Sequence, residues 1–143
     1  MIIIKNLRAD VLGEPIFEKV NLVIRAGERI AILGTRKSDV ATFLRIVAKE
    51  EEMDTGTVTT EGERITYVSS DILQESLELL EKAYHARPSF LLLDLTESTL
   101  EETKHLKSFI ESFRGGILIA SPDPELMQTT KVTRVIEIHP STK

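Results

Sequence analysis

The sequence contains no cysteine, which excludes disulfide bridges and thiolate metal sites. Its three histidines, His85, His105 and His139, fall at spacings that match no metal-ligand pattern. No apolar run approaches the ~20 residues needed to cross a bilayer, so direct membrane insertion is not expected. The opening Met1-Ile-Ile-Ile-Lys5 lacks the basic flank and small-residue cleavage site of a secretory leader and reads as a strand. Repeats, low-complexity tracts and long linkers are missing too. There is no excess of positive charge: the net charge is −5, which argues against a nucleic-acid or anionic-membrane partner, although a local basic patch remains compatible with it. The simplest expected location is the cytoplasm. What remains is 143 residues, 41% hydrophobic and 29% charged, the ordinary mixture of one globular domain. A chain of that length can bury roughly two thirds of its unfolded surface.

Apolar residues are regularly punctuated. Ile2 to Leu7 and Val20 to Ile24 read as strands, separated by a turn at Gly13-Glu-Pro15. Arg29 to Leu33 is nearly all apolar, as suits a strand covered on both faces of a parallel sheet. After a loop at Gly34 to Ser38, Val40, Phe43, Leu44 and Val47 fall at i, i+3, i+4 and i+7, one stripe of a helix. Thr57 to Thr60 and Arg64 to Val68 read as a small meander. Ser70 or Asp71 can cap a helix to about Ala86, with Leu73, Leu77, Leu80 and Tyr84 on one face. Phe90 to Leu93 is a buried strand ending at Asp94. Ser98-Thr-Leu-Glu101 has capping-box spacing and predicts a helix to Phe113. Ile117 to Ala120 is another buried strand, Pro124 to Gln128 a short helix, and Arg134 to Ile138 a last strand. Alternating helix and buried strand in the later half predicts a parallel α/β sheet. The strand-rich early half predicts a small antiparallel layer at its edge.

In order, "IIIKNLRADVLGEPIFEKVNLVIRAGERIAILG", "FLRIVA", "DTGTVTTEGERITYVSSD", "PSFLLLD" and "GGILIASPDPELM" resemble the ATP-binding-cassette (ABC) ATPase domain from Met1 to about Ile138. The resemblance implies a single domain over residues 1–143, with a P-loop NTPase-like core: a mostly parallel sheet flanked by helices, plus the antiparallel layer. In the family the ligands are ATP with Mg²⁺ and the partner a second cassette or a membrane-protein subunit; for this chain the departures below predict no cofactor, or at most weakly held ATP or ADP with Mg²⁺.

The functional positions depart from that family together. A P-loop needs glycines so that backbone N–H groups wrap phosphates, a lysine to neutralise them, and a hydroxyl for Mg²⁺. Here the loop is Gly34-Thr-Arg-Lys-Ser-Asp-Val-Ala-Thr42. Gly34 matches, and Thr42 matches without compensating. Lys37 and Asp39 take the other glycine positions, Val40 the lysine position and Ala41 the hydroxyl position. At the helix N-terminus a carboxylate is favoured by ~0.3–1 kcal/mol, so Asp39 is expected to accept the free first-turn N–H groups and fill the anion site itself. Asp94 keeps the Walker B aspartate, but Leu95 replaces the glutamate that polarises water. Pro122 replaces the switch histidine, between Ser121 and Asp123. Ser70 takes the glutamine-loop position, and Val11 and Leu12 stand where an adenine-stacking aromatic belongs. Only Asp71 to Arg87 separates glutamine loop from Walker B, and no Ser-Gly-Gly occurs; the helical signature subdomain is therefore expected to be deleted.

Each suggestive group also has a plainer reading. Arg36 and Lys37 form either a relocated phosphate clamp or a solvated turn. Asp94 is either a metal ligand or a strand-end carboxylate bonded to backbone or Ser121. Asp94, Glu97 and Asp123 are either a converging carboxylate site or three separate residues. Glu50 to Asp54 is a solvated turn or a binding patch, and the Leu73/Leu77/Leu80/Tyr84 stripe is core or a partner surface. Taken together, these features predict a non-hydrolysing cassette-like domain without catalytic or metal residues. It would act through a protein partner or as a homodimer, as an interaction or regulatory subunit of a transport or assembly system. The alternatives are a weak ATP/ADP sensor and, third, an ATPase half-site completed by a partner. Residual nucleotide contacts would come from Gly34, Thr35, Arg36, Lys37, Ser38 and Thr42, with Asp94 the only metal candidate.

Overall fold

The computed structural model describes residues 1–69, 85 and 87–140. Apart from His85, the predicted helix over Asp71 to Ala86, with its Leu73/Leu77/Leu80/Tyr84 stripe, and Ser70 lie outside the described residues. The described elements, in chain order, are strands β1 (Ile2–Val11), β2 (Glu14–Ile24) and β3 (Arg29–Gly34), helix α1 (Lys37–Val47), strands β4 (Thr55–Thr59), β5 (Ile65–Ser69) and β6 (Phe90–Asp94), helix α2 (Leu100–Ser112), strand β7 (Gly116–Ala120), helix α3 (Pro124–Thr130) and strand β8 (Arg134–Ile138).

Two sheets result. β2, β1 and β4 form an antiparallel sheet in that order, and β5-β6-β7-β3-β8 a five-stranded sheet in which every pairing is parallel. β6 and β7 are buried at all positions, as their unbroken apolar runs predict. Alternate residues face opposite ways. Ile30, Ile32, Phe90, Leu92, Leu118 and Ala120 join α1 and the antiparallel sheet in one core. Leu91, Leu93, Ile117 and Ile119 join α2 and α3 in the other. The antiparallel layer therefore packs over a face, through α1, rather than extending the sheet edge. Phe17 of β2 and Phe43 of α1 meet edge-on at 5.7 Å at that junction.

Three boundaries differ from expectation. The first turn is Leu12-Gly13, both in the left-handed region (φ 52° and 80°), the type I′ geometry that matches strand twist. Glu14 and Pro15 already pair with Val11 and Asp10, which β2 tolerates because it is an edge strand. β4 and β5 form no meander: β4 pairs with β1 and β5 with β6, so the Thr60 to Arg64 turn carries the chain between sheets. α2 starts at Leu100, and the Thr103 N–H bonds to the Thr99 carbonyl, placing the cap at Thr99, one residue after Ser98.

α1 follows its sequence closely. Val40, Phe43, Leu44 and Val47 are buried, with Asp39 in the first turn and Arg45 in the last, the charge order the helix dipole favours. Its C-terminus closes on Lys49, left-handed at φ 66°, with Lys49 N–H to Ile46 and Glu50 N–H to Arg45, a Schellman arrangement.

Candidate functional site

In an α/β sheet ligands bind beyond the carboxyl ends of the strands. Here that rim holds the β3–α1 loop, the end of β6 and the segment after β7. Gly34 closes β3, and α1 begins at Lys37 with Arg36 at the cap, which makes no side-chain capping bond. Thr35, Arg36, Lys37 and Ser38 are exposed. Gly34, Thr35 and Lys37 border a cavity of about 210 Å³ with Ile32, Leu33, Val40, Thr96, Ala120, Ser121 and Pro122. Thr42 lies one turn further along α1, and its hydroxyl accepts from Arg45 Nη2 at 3.4 Å; it does not border the cavity.

Val40 packs onto the loop backbone. A Cβ on Gly34 would lie 2.7 Å from Val40 Cγ2, so the side chain at the lysine position packs directly against the Gly34 backbone and borders the cavity instead of reaching into it with a charge. Asp39 is 3% exposed. Its carboxylate pairs with Arg36 Nε at 3.5 Å, an i,i+3 pair across the helix start. The expected acceptance of first-turn N–H groups is not its arrangement: the Asp39 and Val40 N–H groups themselves bond to the Arg36 carbonyl. Lys37 reaches Glu97 at 3.7 Å, both well exposed.

Asp94, 8% exposed, accepts from the Thr96 N–H and hydroxyl at 3.3 and 2.7 Å and from the Tyr67 hydroxyl at 3.4 Å. It does not meet Ser121, whose hydroxyl accepts from the Asp123 N–H. Asp123 caps α3 by accepting from the Glu125 N–H, with Pro124 at the first helical position, a start legible as Asp-Pro. Asp94, Glu97 and Asp123 thus have separate partners, and among the described residues no group of three ligand-type side chains could hold a metal. Leu95 is fully buried in the α2-side core.

The sequence reading missed Tyr67. Burial, followed by the Asp94 charge, pushes its hydroxyl up to about 12, against a downward pull from Arg45. Because the folded chain favours the neutral phenol, this contribution is complete below pH 10 and disappears as pH rises through 10 to about 12. Urea midpoints at pH 9 and pH 11.5 are expected to fall further apart in the natural chain than in Tyr67→Phe. Equal pH slopes would remove Tyr67 from the explanation.

No family model matches the chain. It is 32% identical over 83 residues to the lipoprotein-releasing system ATP-binding protein LolD of Shewanella denitrificans, covering 55% of this chain and 36% of that protein. It is 41% identical over 56 residues to the spermidine/putrescine import ATP-binding protein PotA of Pasteurella multocida, covering 39% of this chain and 15% of that protein. The matched stretches therefore span about a third or less of these relatives. Among solved structures, a dimeric ATP-binding cassette in a post-hydrolysis state with ADP and Pi superposes with a TM-score of 0.71 at 13% identity, covering 100% of this chain and 97% of that one. The chain thus has the α/β fold of an ABC ATPase cassette, and its homologues and structural neighbours are ABC ATPase cassettes.

Proposed function

We propose that this cassette does not hydrolyse ATP and works through protein contacts, as an interaction or regulatory subunit of a cytoplasmic transport or assembly system. The observation that carries this reading is Val40 seated against Gly34. A β- or γ-phosphate would have to displace a valine that is 3% exposed and belongs to the main core, and no lysine would replace its charge. Mg²⁺ fits poorly as well: Ala41 offers no hydroxyl, and a carboxylate that belongs to no metal-holding group among the described residues and already bonds Thr96 and Tyr67 makes a weak site for an ion that demands octahedral oxygen ligands. Leu95 cannot orient a water molecule. The short span between β5 and β6, residues 70–89, supports a missing signature subdomain.

A protein partner is supported by the tip of the β1–β2 hairpin, where Leu12 is 100% exposed on a left-handed backbone. A second copy of the chain or a membrane-protein subunit fits the company its fold keeps. The 210 Å³ cavity favours, as a second reading, a sensor that holds ATP or ADP weakly through Gly34, Thr35, Arg36, Lys37 and Ser38. It is below the ~300 Å³ at which ligand pockets usually begin. The half-site alternative would need a partner to supply nearly every reacting group.

A thermal melt with and without 2 mM Mg-ATP tests the reading. The expected midpoint is unchanged within about one degree, with no phosphate released over hours. A rise of several degrees would establish the sensor instead, and turnover abolished by Asp94→Asn would establish the half-site.

A further inference from the structure

The opposite end of the parallel sheet carries a different chemistry. Because all five strands run the same way, their first residues share one rim. Each strand is entered through an arginine. Arg29 and Arg134 open β3 and β8. Arg64 immediately precedes β5, Arg114 lies two residues before β7, and Arg87 three before β6. In a chain of net charge −5 this concentrates positive charge at one pole.

Two of the five are structural. Arg29 donates to the Phe113 and Thr130 carbonyls, and Arg134 donates to the Val23 carbonyl and pairs with Glu28. Glu63 is occupied by the terminal ammonium and the Ser89 hydroxyl. Arg87 and Arg114 differ: neither has an ion pair or side-chain hydrogen bond among the described residues, and both are exposed. They border one cavity of about 360 Å³, together with His85, Pro88, Ser112, Phe113 and Gly115. No described residue of that lining is acidic; Glu111 lies in the neighbouring cavity beyond Phe113. Arg87 also has a left-handed backbone, φ 53°, a conformation that disfavours an arginine and is retained at sites where the side chain's placement matters.

We infer that this cavity is an anion site that binds a phosphate dianion, free or as a small phosphate monoester, between the guanidinium groups of Arg87 and Arg114. Two arginines that border one concavity and have no ion pair among the described residues supply planar, forked donors suited to phosphate oxygens. Phe113 supplies an apolar wall for the body of an ester. The volume suits a ligand at the small end of the usual range, about 300–1,000 Å³. The remaining arginines of the rim draw anions toward it.

The test is titration calorimetry of the whole chain with inorganic phosphate at constant ionic strength, alongside Arg87→Asn, Arg114→Gln and the double variant. Asparagine tolerates the left-handed backbone, so Arg87→Asn removes the charge and leaves the turn intact. Saturable one-to-one binding is expected, weakened about tenfold by each single change and undetectable in the double variant, with thermal midpoints in phosphate-free buffer unchanged. If Arg87→Asn fails to fold, Arg114→Gln decides alone. Absence of saturable binding, or equal binding in the double variant, overturns the inference. Loss of binding in Lys37→Ala instead would place the anion at the β3–α1 loop and also overturns it. Vesicles of phosphatidylcholine with 30% phosphatidylserine are the second arm. Arginine-dependent vesicle binding without any response to free phosphate would assign the pole to a membrane surface and overturn the small-anion site.

Discussion

Truncation of Phe43 to alanine is expected to destabilise the protein by about 3–5 kcal/mol, the usual cost of removing a buried phenyl group. The ring is fully buried and sits where three layers meet, edge-on to Phe17 within the core shared by α1, the antiparallel sheet and one face of the parallel sheet. The interior cannot collapse around the gap easily, because strands fix both sides and α1 is held by Val40, Leu44 and Val47. Domains of this size have a total stability of about 5–15 kcal/mol, so the variant should unfold at markedly lower urea concentration. A change below about 1 kcal/mol would mean that α1 is not the element joining the two sheets.

Joint replacement of Asp39 by glycine and Val40 by lysine is expected to create a nucleotide response larger than any in the natural chain. The first change removes a buried carboxylate from the helix start, and the second returns a phosphate-reaching ammonium. At Mg-ATP a hundredfold above the dissociation constant, binding to the folded state alone adds about 2.7 kcal/mol, several degrees in a melt. Without nucleotide the variant should be less stable than the parent, because glycine in a helix costs roughly 1 kcal/mol and lysine loses the valine's packing. If both chains melt alike with and without Mg-ATP, Val40 and Asp39 are not what blocks the loop, and Lys37 and Ala41 become the residues to change.

The sequence was most readable where one physical signal dominated. The stripe Val40, Phe43, Leu44, Val47 marked α1, and the unbroken apolar runs at Phe90 and Ile117 marked the doubly covered strands. It was least readable where pairing is set at long range. The turn at Glu61-Gly62 reads locally as a hairpin, yet β4 and β5 part because β1 and β6 offer each a better partner. β1 continues past Leu7 through register shifts between Ile4 and Leu7, Leu7 and Ala9, and Ala9 and Asp10, with Asn6 left-handed at φ 49°; such bulges erase the two-residue period. At the loop, the residue types exposed the departures from the family pattern, but the expected bonding of Asp39 to first-turn N–H groups is replaced by an ion pair. Its pairing with Arg36 is a side-chain geometry that spacing leaves open, as is the Tyr67–Asp94 contact between neighbouring strands. Thr96 did carry a signal, since an aspartate followed two residues later by a threonine is a common self-bonded turn.

The seating of Val40 against Gly34 has a historical consequence. Residues that merely vacate a site leave it open to recovery by single changes. Val40 belongs to the buried interior, so a change from it to lysine gives up packing before any ligand can compensate. Asp39 adds to the asymmetry, since a lysine arriving beside it would meet a partner inside the protein before it met a phosphate. On the reading proposed above, any path toward a lysine at this position crosses a less stable intermediate, and the loop would be easier to enter by small substitutions than to leave by them.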